Sequence, residues 1–158
     1  HAIDIGVSGL FDTSSKDNGW WVFNTLMSEL DKPIFVLTCD NITQLDFNLI
    51  SNEYYRFGSP AGMIVPVEPI LGIEGDYIFH ENNKIKFLSR TKKSDIYCSG
   101  IQVINPYKVN RIVTPVDNFY QIWSQLIVQN ELYCSNVYPE KWYTADTVEQ
   151  LNNIPNGT

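Results

Sequence analysis

Apolar residues along this chain recur with two periods, and the changes between them outline its elements. Trp20, Phe23, Met27 and Leu30 fall three or four residues apart, which predicts a helix ended by Pro33. The run "IFVLT" (34–38) is short and continuously apolar, as in a strand buried on both faces. "DFNLISNEYYRFG" (46–58) predicts a second helix, with Asp46 as cap, Leu49 and Tyr54 inward and Gly58 as the stop. "AGMIVPVEPI" (61–70) reads as a strand in which Pro66 marks an edge or an irregularity. In "DYIFHENNKIKFLSR" (76–90), Asn82-Asn83 separates two alternating runs and predicts a β-hairpin. A long strand follows in "DIYCSGIQVINP" (95–106). "DNFYQIWSQLIVQN" (117–130) is an amphipathic helix with Phe119, Ile122, Trp123, Leu126 and Ile127 inward. "LYCSNVYP" (132–139) is another strand, and "WYTADTVEQLNNIP" (142–155) a polar loop entering a short helix capped near Asp146 or Thr147.

Strands alternating with helices indicate an α/β domain: a mainly parallel, Rossmann-like sheet flanked by helices, with one β-hairpin inserted. Residues 1–158 form a single domain without internal repeats or low-complexity linkers. The opening "HAIDIGVSGLFDTSSKDNG" is an alternating strand-like piece running into a polar loop. A strand, glycine-rich turn and helix usually open such a domain, and none precedes Trp20. The chain is therefore expected to be the C-terminal portion of a larger unit.

Composition narrows the partners. A net charge of −7 argues against nucleic acid, whose binding is dominated by Lys and Arg at phosphates. No apolar run approaches the roughly 20 residues that span a bilayer. Cys39, Cys98 and Cys134 are odd in number and lack a CxxC, so they suit buried free thiols in a reducing, cytoplasmic compartment. The triplets Asn41-Ile42-Thr43 and Asn156-Gly157-Thr158 are chance matches to a glycosylation pattern, and His1 and His80 belong to no catalytic constellation.

Asp40 stands out as a lone acid closing an apolar strand. Locally it is a turn residue, since Asp after a strand commonly bonds its own backbone. It is also placed for a site, because ligands in open α/β sheets bind beyond the carboxyl ends of strands.

Four landmarks carry a resemblance: the strand ending in Asp40, the hairpin "EGDYIFHENNKIKFLSRTKK", the strand "YCSGIQVINP", and the closing "WYTADTVEQL". In this order the chain resembles the sugar-1-phosphate nucleotidyltransferases over roughly residues 18–151, with a GT-A-like sheet. The resemblance implies that Asp40 is the catalytic Mg²⁺ ligand, although Cys39 stands where the family has glycine. It implies substrate contacts at Gly75, at Arg90 in place of the family's lysine, at Cys98-Ser99-Gly100, and at Trp142. It implies Asp146 as a second metal-binding acid, with Thr144 at the competing register. The family's sugar-binding Glu is replaced by Ser89, and its triphosphate-cradling Gly-X-Gly-X-Arg loop does not occur.

The activity so implied transfers a nucleoside monophosphate from an NTP to a sugar-1-phosphate, or to an acceptor such as phosphocholine, with release of pyrophosphate. Mg²⁺ is the implied cofactor, NTP and a phosphorylated acceptor are the partners, and homo-oligomerisation stays open. Two readings compete. One is a non-catalytic nucleotidyltransferase-like binding or regulatory domain, favoured by the losses at Ser89 and Cys98. The other is a GT-A glycosyltransferase, disfavoured because Asn41 follows Asp40 where an Asp-X-Asp would need a second acid two positions on.

Overall fold

The computed structural model of the protein describes residues 10–70, 72–145 and 147–152. His1, the opening strand-like piece, Asp146 and the triplet at Asn156 lie outside the described residues. The strands are β1 (Ile34–Leu37), β2 (Asn41–Gln44), β3 (Gly62–Val67), β4 (Tyr77–Glu81), β5 (Lys84–Ser89), β6 (Tyr97–Ile104), β7 (Leu132–Cys134) and β8 (Lys141–Thr144). The helices are α1 (Trp21–Asn24), α2 (Phe47–Arg56), α3 (Pro106–Ile112), α4 (Phe119–Val128) and α5 (Val148–Asn152), and a 3₁₀ turn spans Leu26–Glu29.

Six strands form one sheet in the order β1-β6-β3-β7-β5-β4, and β2 pairs with β8 in a separate ribbon. The α/β class and the hairpin are as expected, but the register corrects the mainly parallel pairing. Among the described residues only β3 and β7 pair in parallel; β6 lies antiparallel between β1 and β3. The chain explains this. A parallel neighbour needs a crossover, usually a helix, whereas only a hairpin and loops connect β3 to β6. Strands β1, β3 and β7 still run the same way, so their carboxyl ends open on one side of the sheet.

One face of the sheet is covered by α1, α3 and α4, which bury Val22, Val109, Ile122 and Leu126 over Ile64 and Ile104. The other is covered by α2 and the β2–β8 ribbon over Met63, Val65, Ile101 and Val103. Helix α2 begins where Asp46 accepts the amides of Asn48 and Leu49 and ends before Gly58 at φ 83°. Its inward residues are Ile50 and Tyr54, while Leu49 is 53% exposed. The expected helix from Trp20 to Leu30 is broken at Thr25, whose extended backbone separates α1 from the 3₁₀ turn. Pro66 produces the irregularity rather than an edge: β3 is central, and its register with β6 shifts between Val65 and Pro66. Asn82 and Asn83, at φ 50° and 64°, form the hairpin turn. Helix α3 and strands β2 and β8 were not foreseen. Of the free cysteines, Cys39 is exposed and Cys134 buried. No helix among the described residues is long and apolar enough to cross a membrane.

Glu53 on α2 is a buried carboxylate, 5% exposed. Burial alone would raise its pKa, but hydrogen bonds from Ser135, the Asn136 side chain and the Asn136 backbone amide outweigh that and hold it below the ordinary 4.5. Its contribution to stability is therefore complete above pH 4.5 and is lost as pH falls through the depressed value. Urea unfolding across the acid range should show the wild type losing more stability than Glu53→Gln; parallel losses would refute this.

Candidate functional site

The turn after β1 is held down by its neighbours in β6. Thr38 N donates to Gly100 O at 3.2 Å, and Asn41 Nδ2 donates to Ser99 O at 2.6 Å. Trp142 of β8 sends its indole N–H to the same Ser99 carbonyl at 2.9 Å, and Ala145 N donates to Asp40 O at 3.1 Å. Three segments distant in sequence thus converge on one corner at the carboxyl end of β1.

Beside that corner lies a cleft of about 370 Å³, whose lining includes Asp40, Gly75, Arg90, Cys98, Ser99, Gly100 and Trp142. These are the described members of the candidate set from the sequence, brought to one place from four parts of the chain. Glu74, Asp76, Tyr97, Trp123 and Thr144 complete most of the remaining wall. The cleft continues into two neighbouring depressions of about 580 and 590 Å³, and Asp76 and Arg90 border all three.

Asp40 is exposed, and its carboxylate makes no hydrogen bond or ion pair among the described residues. The contrast is with Asp12 and Asp46, whose carboxylates accept nearby backbone amides. Asp40 occupies a turn without spending its side chain on that turn.

The other candidates divide by what their side chains already do. Arg90 is exposed, but its Nε donates to Asp76 Oδ1 at 3.0 Å, a pairing that raises the guanidinium pKa further. Ser99 borders the cleft with its hydroxyl committed elsewhere, because Oγ donates to Val65 O at 2.6 Å and accepts Ile101 N. Burial pushes the Cys98 thiol well up, with Asp76 adding to the effect, so it remains protonated. Burial likewise raises Cys134 to about 12. A Cβ on Gly75 would lie 2.9 Å from the Tyr97 ring, so packing alone already requires that glycine. Trp142 stands edge-on to Tyr97 at 5.9 Å.

A hard cation such as Mg²⁺ takes one or two protein carboxylates and completes its shell with water and substrate phosphate oxygens. The donor set fits that demand: Asp40 offers free oxygens, and Glu74 and Asp76 are further carboxylates of the same wall. No group of three or more His, Cys, Asp or Glu among the described residues forms an all-protein cage. The sequence reading missed the Asp76–Arg90 pair and Asn41 as a tether of the turn. Hairpin register brings the first within one residue and the irregularity between Phe79 and His80 completes it; nothing local reports the second.

This mixed α/β architecture matches the folds of solved structures described as sugar-phosphate nucleotidyltransferases. Solved structures similar to it include the inositol-1-phosphate CTP transferase of T. maritima, at TM-score 0.66 and 14% identity, covering 96% of this chain and 66% of that one. A protein of Bacillus anthracis described as a glucose-1-phosphate thymidylyltransferase gives TM-score 0.61 at 16% identity, covering 77% of this chain and 52% of that one. An apo UDP-glucose pyrophosphorylase gives 0.53 at 16%, covering 76% and 51%. The chain therefore spans about half to two thirds of the length of these structures. No family model and no curated protein matches its sequence.

Proposed function

We propose that this domain is the metal- and acceptor-binding part of a nucleotidyltransferase that moves a nucleoside monophosphate from an NTP to a sugar-1-phosphate or phosphocholine-like acceptor. The observation that carries the reading is the unengaged Asp40 carboxylate, set in a cleft where the residues implied by the resemblance converge. An acceptor phosphate oxygen attacks the α-phosphorus, the bond to the β-phosphate oxygen breaks, and pyrophosphate leaves with both electrons of that bond. Two anions must meet, so the demand is charge neutralisation and alignment rather than proton transfer.

Asp40, with Asp146 as the second acid of this proposal, would hold Mg²⁺, which supplies charge neutralisation at the reacting phosphates. Arg90 contributes a second positive charge. Its Nε is fixed by Asp76, which leaves the terminal nitrogens for a phosphate. Trp142 and Tyr97 shape the wall beside the acceptor. The triphosphate-cradling loop is proposed to lie on polypeptide outside this chain.

A second reading, a nucleotide-sugar-binding domain without turnover, is favoured by the Asp76 charge against Arg90 and the committed Ser99 hydroxyl. The two separate in one assay. The full-length protein is given each of four NTPs with Mg²⁺ and a panel of sugar-1-phosphates and phosphocholine, and pyrophosphate is measured beside ligand binding. Acceptor-dependent pyrophosphate supports the transferase. Binding without pyrophosphate supports the second reading, and release of a nucleoside diphosphate in its place would sink both.

A further inference from the structure

Glu53 lies on α2, away from the residues that line the cleft, yet its carboxylate is the most heavily bonded acid among the described residues. Oε1 accepts Asn136 Nδ2 and Arg56, both at 2.8 Å, and Oε2 accepts Asn136 N at 2.9 Å and the Ser135 hydroxyl. Asn136 is gripped from its other side as well: Asn83 of the hairpin turn donates Nδ2 to Asn136 Oδ1 at 2.9 Å and to Cys134 O at 2.9 Å. The turn leaving β7 is therefore clasped between α2 and the hairpin.

Four residues, 137–140, separate that turn from β8. Its Thr144 pairs with Asn41, its Trp142 bonds Ser99 O, and Ala145 N bonds the carbonyl of Asp40. We propose that Glu53 is a positioning residue for the cleft: its ionised carboxylate anchors the β7–β8 connector and so sets where Trp142 and Thr144 stand. Its functional importance rests on the reading of the cleft given above; the clasp itself does not. The wrap of three donors from consecutive residues onto one carboxylate is stronger than a neutral contact, because charge-assisted hydrogen bonds are roughly twice as strong as neutral ones.

The test is hydrogen exchange in the full-length protein, comparing β8 (Lys141–Thr144) with central strand β3 (Gly62–Val67). Glu53→Gln keeps the shape and removes the charge. It should speed exchange in β8 about tenfold, the effect of losing one charged hydrogen bond, while β3 stays within about twofold. The double variant Glu53→Gln/Asn136→Asp places the carboxylate on the other side of the same contact, with the amide now donating, and should restore most of the β8 protection. Unchanged β8 exchange, an equal rise in β3, or no recovery in the double variant would each overturn the proposal. Loss of Mg²⁺-dependent pyrophosphate release as the protein's activity would overturn the functional reading and leave the exchange result standing.

Discussion

Under the proposed function, Asp40→Asn should lower Mg²⁺-dependent pyrophosphate release by the full-length protein about a hundred- to a thousandfold, the range for removing one group that stabilises transition-state charge. The substitution is nearly isosteric, and the carboxylate it removes makes no hydrogen bond or ion pair among the described residues. The fold has nothing to lose by it. The Asp40 backbone carbonyl, which accepts Ala145 N, is untouched. The expected signature is a large fall in kcat with the unfolding midpoint unchanged, and a wild-type activity that rises with Mg²⁺ while the variant's stays flat. Near-normal turnover would remove Asp40 from the chemistry and leave it as a turn residue. A drop in stability matching the drop in activity would do the same, since it would mean the carboxylate had a structural partner.

Much of the scaffold is legible in the sequence because it depends on local rules. The Asn82-Asn83 turn, the Asp46 cap, the Pro66 irregularity and the inward face of α4 follow from backbone preferences and spacing, and the structure contains all four. Strand direction is not local. The apolar run of residues 34–37 looks the same whether its neighbour is parallel or antiparallel, and only the connections decide. The β2–β8 ribbon was hidden for a related reason: Asn41–Gln44 is short and polar, and its partner is about a hundred residues away.

The candidate site divides in the same manner. The acids and glycines could be picked out one by one, but what each side chain is occupied with could not. Ser99 looked available and is committed to Val65 O, whereas Asp40 looked like a turn-former and is unengaged. The Asp76–Arg90 pair shows how near such information can come. A simple two-residue turn pairs His80 with Ile85, which would set Asp76 opposite Ser89. The irregularity between Phe79 and His80 shifts the register by one, so Tyr77 meets Ser89 and Asp76 falls opposite Arg90. One extra residue in a hairpin decides which side chain neutralises the arginine.

Gly100→Ala is the substitution expected to damage the site most while altering no charge. Gly100 sits at φ 82°, in the left-handed region where a side chain costs about 1–2 kcal/mol. A Cβ there would lie 2.6 Å from Thr38 Oγ1 and 2.7 Å from Asn41 Nδ2. Those two residues bracket Asp40, and Asn41 is the one that ties the turn to Ser99 O. Relief of the clash must push the turn off β6 or break the Asn41 tether, and overpacking of this kind adds about 1–3 kcal/mol. The combined loss is about 3 kcal/mol of stability, read as a lower urea midpoint. Thr38→Ser keeps the hydroxyl oxygen and should give no rescue in the double variant, whereas Asn41→Ala removes the tether atom 2.7 Å from the added Cβ and relieves part of the strain. Activity separates the effects: Gly100→Ala should reduce pyrophosphate release even where the protein is fully folded, because Asp40 has moved with its turn. Wild-type stability in Gly100→Ala would show that this corner yields at no cost, and the turn would then be too loosely held to place a metal ligand.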